Sequence, residues 1–290
     1  MHGVLVIDKP AGMSSATAVE HVRRGLHIDR AGHGGTLDPL ATGVLAVCVG
    51  SATKLAQFLL ADDKAYEAEG VLGVQTDTLD RTGRIVDERT VDVTREALIA
   101  TLAGHLGTQA QVPPMYSAIK QGGVRLYHRA RAGEEVERAP RQIRIDRLEL
   151  LAFEPPRFRI AIACSKGTYI RSLVADIGSA VGAGAHLAEL RRTRSGQFTI
   201  EQATALDRLA EATLIPPSRA TDLPAVTVPQ PLVAQIFNGV QLPVATFGAD
   251  GLDRFQLVDE HGQLLAVAHP QDGRTIYDRV FPELASRAQQ

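Results

Sequence analysis

The sequence predicts an α+β fold: a mixed, largely antiparallel sheet with flanking helices, followed by a small β-rich C-terminal module. Three observations predict it. Phe158, Ile160, Ile162 and Cys164 alternate with polar or small residues, the period of a half-buried strand. Ile170, Leu173, Val174 and Ile177 follow at helical spacing. Elements of both kinds mix along the chain without the βαβα rhythm of a doubly wound sheet.

Residues 4–7 are a short apolar run, closed by the turn signal Asp8-Lys9-Pro10-Ala11-Gly12. Ser14 or Ser15 caps a helix whose apolar side includes Ala18, Val19 and Val22. A glycine-rich stretch over residues 32–39 interrupts. Residues 43–49 read as a buried strand and 53–60 as a short helix. Residues 66–72 and 83–87 read as strands. Thr94 caps a helix to about Ala103, with Glu96 favourably placed in its first turn. Residues 111–141 are irregular and rich in Gly, Pro and Arg, and Ile143, Ile145, Leu148 and Leu150 resume a strand. Pro216, Pro217, Pro224, Pro229 and Pro231 crowd one stretch and divide the chain into domains of residues 1–222 and 223–290. The second domain reads as short strands, 255–258 and 264–268, around the turn Asp259-Glu260-His261-Gly262.

Hydrophobic residues make up 44% of the 290, enough for a full core, although aromatics are only 4% and Trp is absent. Leu, Val, Ile and Ala must therefore fill it. The net charge of −2 is not that of a general nucleic-acid binder, so any such contact needs a local basic patch. One lies at Lys120, Arg125, Arg129, Arg131, Arg138, Arg141 and Arg144, against Glu134, Glu135 and Glu137; a second is Arg191, Arg192 and Arg194. The C-terminal domain carries seven acidic and four basic residues and is no electrostatic grip. Cys48 and Cys164 have neither metal spacing nor a disulfide framework and read as buried hydrophobes. No run approaches the roughly 20 apolar residues of a membrane span. The start shows no signal-peptide pattern, and a cytoplasmic location is expected.

The segment Gly32-His33-Gly34-Gly35-Thr36-Leu37-Asp38-Pro39-Leu40-Ala41-Thr42-Gly43 is the most informative. Its glycines free the backbone for close approach to a ligand. Pro39 disfavours helix at Asp38 and stiffens the chain after it. A carboxylate on a stiff loop between two elements is where active-site residues often sit. The Walker lysine spacing and the later glycine of the dinucleotide pattern are both absent.

This segment resembles the signature of the TruB-type tRNA pseudouridine-55 synthases, G-H-x-G-[ST]-L-D-P-x-A-T-G. Five further segments resemble the family in the same order. They are Asp8-Lys9-Pro10-Ala11-Gly12-Met13-Ser14-Ser15, Lys64-Ala65-Tyr66 with Thr76-Asp77-Thr78, residues 112–120 (Val-Pro-Pro-Met-Tyr-Ser-Ala-Ile-Lys), residues 164–171 (Cys-Ser-Lys-Gly-Thr-Tyr-Ile-Arg), and His186-Leu187 with Leu190-Arg191-Arg192. The C-terminal domain is similar, weakly, to the PUA-like tail of the family.

The resemblance implies a catalytic domain over residues 1–222 with an RNA-contact insertion at about 111–142, and a PUA-like domain over 223–290. It implies isomerisation of uridine at position 55 in the T loop of tRNA, after base flipping and with no cofactor or metal. Asp38 is implied as the catalytic carboxylate, Arg171 as its guanidinium partner and Tyr66 as the ring that stacks on the uracil. His33 would fill the space left by the flipped base and Leu190 would wall the pocket. Tyr169 would support Asp38 or Arg171, and Lys9 would close the site with a charge. Lys120 and Arg191 fall in the RNA-contacting segments. The T-arm stem-loop is the expected partner of a monomer with no obligate protein partner.

Three rival readings use the same residues. A tRNA-folding helper needs no chemistry, yet Asp38, Tyr66 and Arg171 are all present. A hydrolase with Asp38 as nucleophile needs a paired acid, for which Asp77 and Asp80 are candidates. A guide-RNA-dependent relative acting on ribosomal RNA would carry a basic extended tail, which this chain lacks.

Overall fold

A computed structural model describes residues 1–117, 120–125, 129, 134 and 136–285. The chain adopts the α+β class. In chain order the first 222 residues contain β1 (Gly3–Lys9), α1 (Ser15–Gly25), β2 (Ala31–His33), β3 (Thr42–Val49), β4 (Lys64–Leu72), α2 (Arg95–Gly104), β5 (Gly107–Gln111), β6 (Arg141–Glu154), β7 (Arg157–Cys164), α3 (Ile170–Ala180), β8 (Ala185–Ser195), β9 (Phe198–Thr199) and β10 (Thr204–Ala205). Its strands form one ten-stranded sheet in the order β10-β1-β3-β8-β4-β7-β6-β5, with β2 on β3 and β9 on β8. Among the described residues of this sheet, only the β1–β10 and β3–β8 strand pairs are parallel. The sheet is thus mixed and largely antiparallel.

The alternation predicted for β7 is realised. Phe158, Ile160, Ile162 and Cys164 are buried, while Arg157 and Arg159 point to the opposite face and pair with Glu69 and Glu67 of β4. Ser14 is the cap of α1, its hydroxyl accepting the Thr17 N–H at 3.0 Å. Thr94 caps α2 in the same way, from Ala97 at 3.2 Å. The helix expected at 53–60 begins as a 3-10 segment, Gly50–Leu55, and ends in the helical turn Ala56–Leu59. The strand expected at 83–87 spans Ile85–Glu88 and pairs with Val74–Thr76 in a separate hairpin.

β1 and β3 are buried on both faces, which is why they read as unbroken apolar runs. One face, with Leu5, Ile7, Leu45 and Val47, packs in the core that holds α1 and α3. The other, with Val4, Val6, Val44, Ala46 and Cys48, is covered by Val258, Leu264, Val267 and Phe281 from the C-terminal residues. The first three belong to a four-stranded sheet, β11 (Ala225–Thr227), β12 (Phe255–Val258), β13 (Leu264–Gln271) and β14 (Arg274–Val280), and Phe281 directly follows β14; the other face of the sheet has its own core with Ile236, Phe255 and Leu257. The module also contains a helix, α4 (Gln230–Phe237), where the sequence suggested only strands and turns. Pro229 and Pro231 read as breakers, but proline is tolerated in a first helical turn, where the missing N–H has no partner to lose.

Residues 112–140 connect two adjacent antiparallel strands, because Gln111 of β5 pairs with Arg141 of β6. A small hairpin, Lys120–Gln121 with Val124–Arg125, lies within this connection. Ala118, Ile119 and Arg131 of the predicted insertion lie outside the described residues, as do the side chains of Lys120 and Arg125.

Candidate active site

The glycine-rich segment runs from β2 to the start of β3, and Asp38 stands on the loop between them. Arg171, the second residue of α3, donates from Nε to Asp38 Oδ2 at 2.8 Å. Its other nitrogens are committed to main chain. Nη1 donates to the Thr78 carbonyl at 3.1 Å and Nη2 to the Tyr116 carbonyl at 2.8 Å. The Arg171 side chain is 4% exposed and that of Asp38 is 35% exposed, so a fixed cation holds a carboxylate that still faces solvent.

Tyr66 of β4 lies between Ile162 of β7 and Arg192 of β8 in register, so the three share one face of the sheet. Leu190, 8% exposed, lies opposite Ala68 one step along and shares that face. Burial pushes the Tyr66 phenol above its usual value; the Arg192 charge opposes the rise and the Asp38 charge adds to it. Burial likewise raises the Tyr169 phenol, with Asp38 contributing. Lys9 is fully buried, and burial lowers its ammonium to about 8 against an upward pull from Asp38. Asp38 is thus felt by Tyr66, Tyr169 and Lys9, groups that come from three separate parts of the chain. His33, at the end of β2, is held below its usual value by burial and by Arg192, which favours the neutral imidazole.

Several neighbours make contacts that the sequence did not indicate. Lys9 donates to the carbonyls of Pro10 at 2.7 Å and Met13 at 2.9 Å, so it braces the turn after β1. Ser15, which the sequence offered as a cap, instead bonds to Leu37: its hydroxyl accepts the Leu37 N–H at 2.8 Å and donates to the Leu37 carbonyl at 3.0 Å. The motif held two serines where one cap suffices, and that surplus was the available signal. Gln111 fixes the Tyr169 main chain from both sides, accepting its N–H at 2.8 Å and donating to its carbonyl at 3.1 Å.

The rival acid carboxylates are accounted for otherwise. Asp80 is 5% exposed and accepts at Oδ1 from the Thr78 hydroxyl and from the N–H and hydroxyl of Thr82, while its Oδ2 lies 3.8 Å from Arg171. A carboxyl so supplied with donors is a structural anion that fixes the turn carrying Thr78. Asp77 pairs with Arg84 in the same turn. Among the described residues, no group of three or more His, Cys, Asp or Glu is arranged to hold a metal ion.

Family models match along the chain: the TruB family pseudouridylate synthase N-terminal domain over residues 23–170, and the tRNA pseudouridylate synthase B C-terminal domain over residues 171–229. A tRNA pseudouridine synthase B of Stutzerimonas stutzeri is 54% identical over 207 residues, 71% of this chain and 68% of that protein. One from Pseudomonas aeruginosa is 53% identical over the same length. The chain belongs to the TruB family of pseudouridylate synthases. Among solved structures, this TruB-family chain resembles a Cbf5-Nop10-Gar1 complex with a TM-score of 0.74 and 28% identity, over 96% of this chain and 84% of that one. It also resembles an H/ACA RNP bound to a substrate RNA containing 2′-deoxyuridine, with a TM-score of 0.72 and 25% identity. The first family model ends at Ile170, inside the first turn of α3, so in this synthase the Asp38–Arg171 pair joins the two matched segments.

One arginine of the predicted basic clusters is corrected in this synthase. Arg192 is 1% exposed and spends its guanidinium on main-chain carbonyls, donating to Val44 at 2.7 Å, Gly35 at 3.2 Å and Thr36 at 3.3 Å. It is no phosphate contact. Arg191 is partly exposed and pairs with Asp8 at 2.8 Å. In the insertion, Arg144 is paired with Asp63 and Asp146, and Arg138 donates to the Pro113 carbonyl at 3.1 Å. Both cysteines are buried, with thiols pushed up by burial to about 12 at Cys48 and about 11 at Cys164, as expected of inert hydrophobes.

Proposed function

We propose that this chain isomerises uridine to pseudouridine at position 55, in the T loop of tRNA. The observation that carries the reading is the Asp38–Arg171 pair, a solvent-facing carboxylate gripped at 2.8 Å by a buried guanidinium. The reaction breaks the bond from C1′ to N1, turns the uracil and rejoins it through C5, whose proton is released as N1 gains one. No atom is oxidised, so the chemistry needs no redox partner and the reading includes no cofactor. Asp38 serves either as nucleophile at C1′ or at the uracil, or as base at C2′. Arg171 holds the Asp38 carboxylate in a fixed direction.

The uracil must leave its stack, at a cost of roughly a few kcal/mol. Stacking on Tyr66 returns about 1–3 kcal/mol per base. The Tyr66 hydroxyl, kept protonated by burial, is the candidate relay for the C5 proton. His33, five residues before Asp38, is the candidate wedge, and its neutral ring suits insertion among bases. Leu190 supplies an apolar wall, Tyr169 supports the ion pair from the cap of α3, and Lys9 places a positive charge behind the carboxylate. Lys120 and Arg191 are the proposed RNA contacts, acting on phosphates and reading stem-loop shape. The residues 1–222 carry the chemistry in this reading and residues 223–290 form the PUA-like part of a cytoplasmic monomer.

The tRNA substrate is supported by relatives at 53–54% identity that are named for it, against 28% for the Cbf5 complex. The test is the purified chain alone with a T-arm hairpin tritiated at C5 of the target uridine. Wild type should release tritium, and Asp38→Asn should bind the hairpin and release none. Release by Asp38→Asn overturns the assignment. Release by wild type only after a protein partner or guide RNA is added favours the guided relatives instead.

A further inference from the structure

The loop that carries Asp38 is held at its successive main-chain carbonyls. Every carbonyl from Gly35 to Pro39 has a donor. Gly35 and Thr36 receive Arg192 Nη2 and Nη1, and Leu37 receives the Ser15 hydroxyl. Asp38 receives the Ala41 N–H at 3.0 Å and Pro39 the Gly12 N–H at 2.8 Å. The Leu37 N–H is taken as well, by the same Ser15 oxygen. Two of these donors are side chains, and both are buried: Ser15 is 2% exposed and Arg192 1%. They reach the loop from different elements, Ser15 from the first turn of α1 and Arg192 from β8. Arg192 also bonds Val44, so one guanidinium ties the loop to the strand that follows it.

This arrangement answers a need created by the sequence. Glycines at 32, 34 and 35 leave the backbone few steric limits, so the loop alone does not fix where the carboxylate stands. Arg171 grips only the side-chain end of Asp38. Buried donors on consecutive carbonyls supply the missing constraint, since each would be costly to leave unmatched. We propose that Ser15 and Arg192 are positioning residues for the reaction, which place the Asp38 main chain while Arg171 aims its carboxylate. The proposal rests on the reading of Asp38 as the catalytic group. It assigns Arg192 a role different from RNA contact and Ser15 a role different from helix capping.

The test compares Ser15→Ala, Ser15→Thr, Arg192→Lys and Asp38→Asn, each confirmed folded by urea unfolding at the assay temperature. Single-turnover rate on the T-arm hairpin and hairpin Kd are read separately. A displacement near 1 Å costs about 100-fold in rate, so Ser15→Ala should lose about that much with Kd changed less than about twofold. Ser15→Thr keeps the oxygen and should recover most of the rate. Arg192→Lys keeps the charge but cannot span three carbonyls; its rate should fall while Kd and the salt dependence of binding stay put. Ser15→Ala at wild-type rate, Ser15→Thr as slow as Ser15→Ala, or Arg192→Lys losing affinity and salt slope with its rate intact would each overturn the proposal. Asp38→Asn separates the two claims. If it stays active, the reading of the site fails; if it is dead while Ser15→Ala and Arg192→Lys run normally, only the positioning role fails.

Discussion

Replacing Arg171 by Met removes three charge-assisted hydrogen bonds at nearly constant volume, to Asp38, Thr78 and Tyr116. Hydrogen bonds to charged groups are worth about 1.5–3 kcal/mol each, but they do not add, and the groups left behind decide the cost. The Asp38 side chain is 35% exposed and regains water, so its loss is modest. Asp80 is 7% exposed in its side chain but keeps three donors on Oδ1, and its 3.8 Å approach to Arg171 is longer than a hydrogen bond. Breaking a buried ion pair costs about 3–5 kcal/mol, and these two compensations put Arg171→Met at the low end, about 3 kcal/mol. Arg171→Lys should fall between, since an ammonium cannot serve three divergent acceptors. Urea unfolding gives the stability and single-turnover kinetics the rate, which should drop by about 100-fold or more as Asp38 loses its fixed partner. A stability loss within about 0.5 kcal/mol, typical of a surface substitution, would refute the reasoning.

Three further outcomes are expected. Burial lowers both Lys9 and Lys64 from 10.5 to about 8. The unfolded chain therefore holds two protons that the folded chain has released between about pH 8 and 10.5, so their contribution to stability rises with pH across that window. The slope is at most about 1.4 kcal/mol per pH unit for each group, and Lys9→Met should roughly halve it in urea titrations; an unchanged slope in Lys9→Met rejects the assignment. Phe281→Ala should cost about 3–5 kcal/mol and lower the stability of the whole chain in one transition, because Phe281 covers β1 and β3; two separated calorimetric transitions would count against a shared core. Gly43 has φ +100°, and a Cβ there would stand 2.2 Å from the Arg192 carbonyl oxygen, so Gly43→Ala should be strongly destabilised or insoluble; a wild-type melting temperature would contradict this.

Period and punctuation made most of the fold legible. β7 and α3 announce themselves because one face of each is buried and the other is solvated, which leaves clean periods in the chain. β1 and β3 show only as apolar runs, and their double burial needs the C-terminal sheet to explain it. β8 was overlooked as a strand although it is central, pairing with both β3 and β4. Its residues, His186-Leu187-Ala188-Glu189-Leu190-Arg191-Arg192, look polar because one face carries exposed charge and the other a buried arginine. Composition cannot announce a buried cation, since its solvation comes from carbonyls brought in from distant segments. Lys9 and Arg192 are two such cases: both are buried and donate to main-chain carbonyls. Asp38 and Arg171 were legible through motif resemblance, but their partners Thr78 and Tyr116 contribute only main-chain oxygens, which no side-chain pattern encodes.

The root of the insertion is bonded to the same helix turn that carries Arg171, the partner of Asp38. Gln111 grips Tyr169, Ser172 donates to the Val112 carbonyl at 3.2 Å, and Arg171 bonds the Tyr116 carbonyl with one nitrogen and Asp38 with another. Contacts on two successive α3 residues and at its cap leave the root little freedom to move alone. A displacement of Tyr116 must either break a buried charge-assisted bond or carry the guanidinium with it, and the guanidinium cannot shift without disturbing Asp38. Under the proposed function, binding at the insertion and the aim of Asp38 are therefore coupled through the Arg171 side chain. In that geometry an RNA that seats the insertion in its resting position leaves the carboxylate ready, whereas one that strains the root loses alignment before any bond is broken.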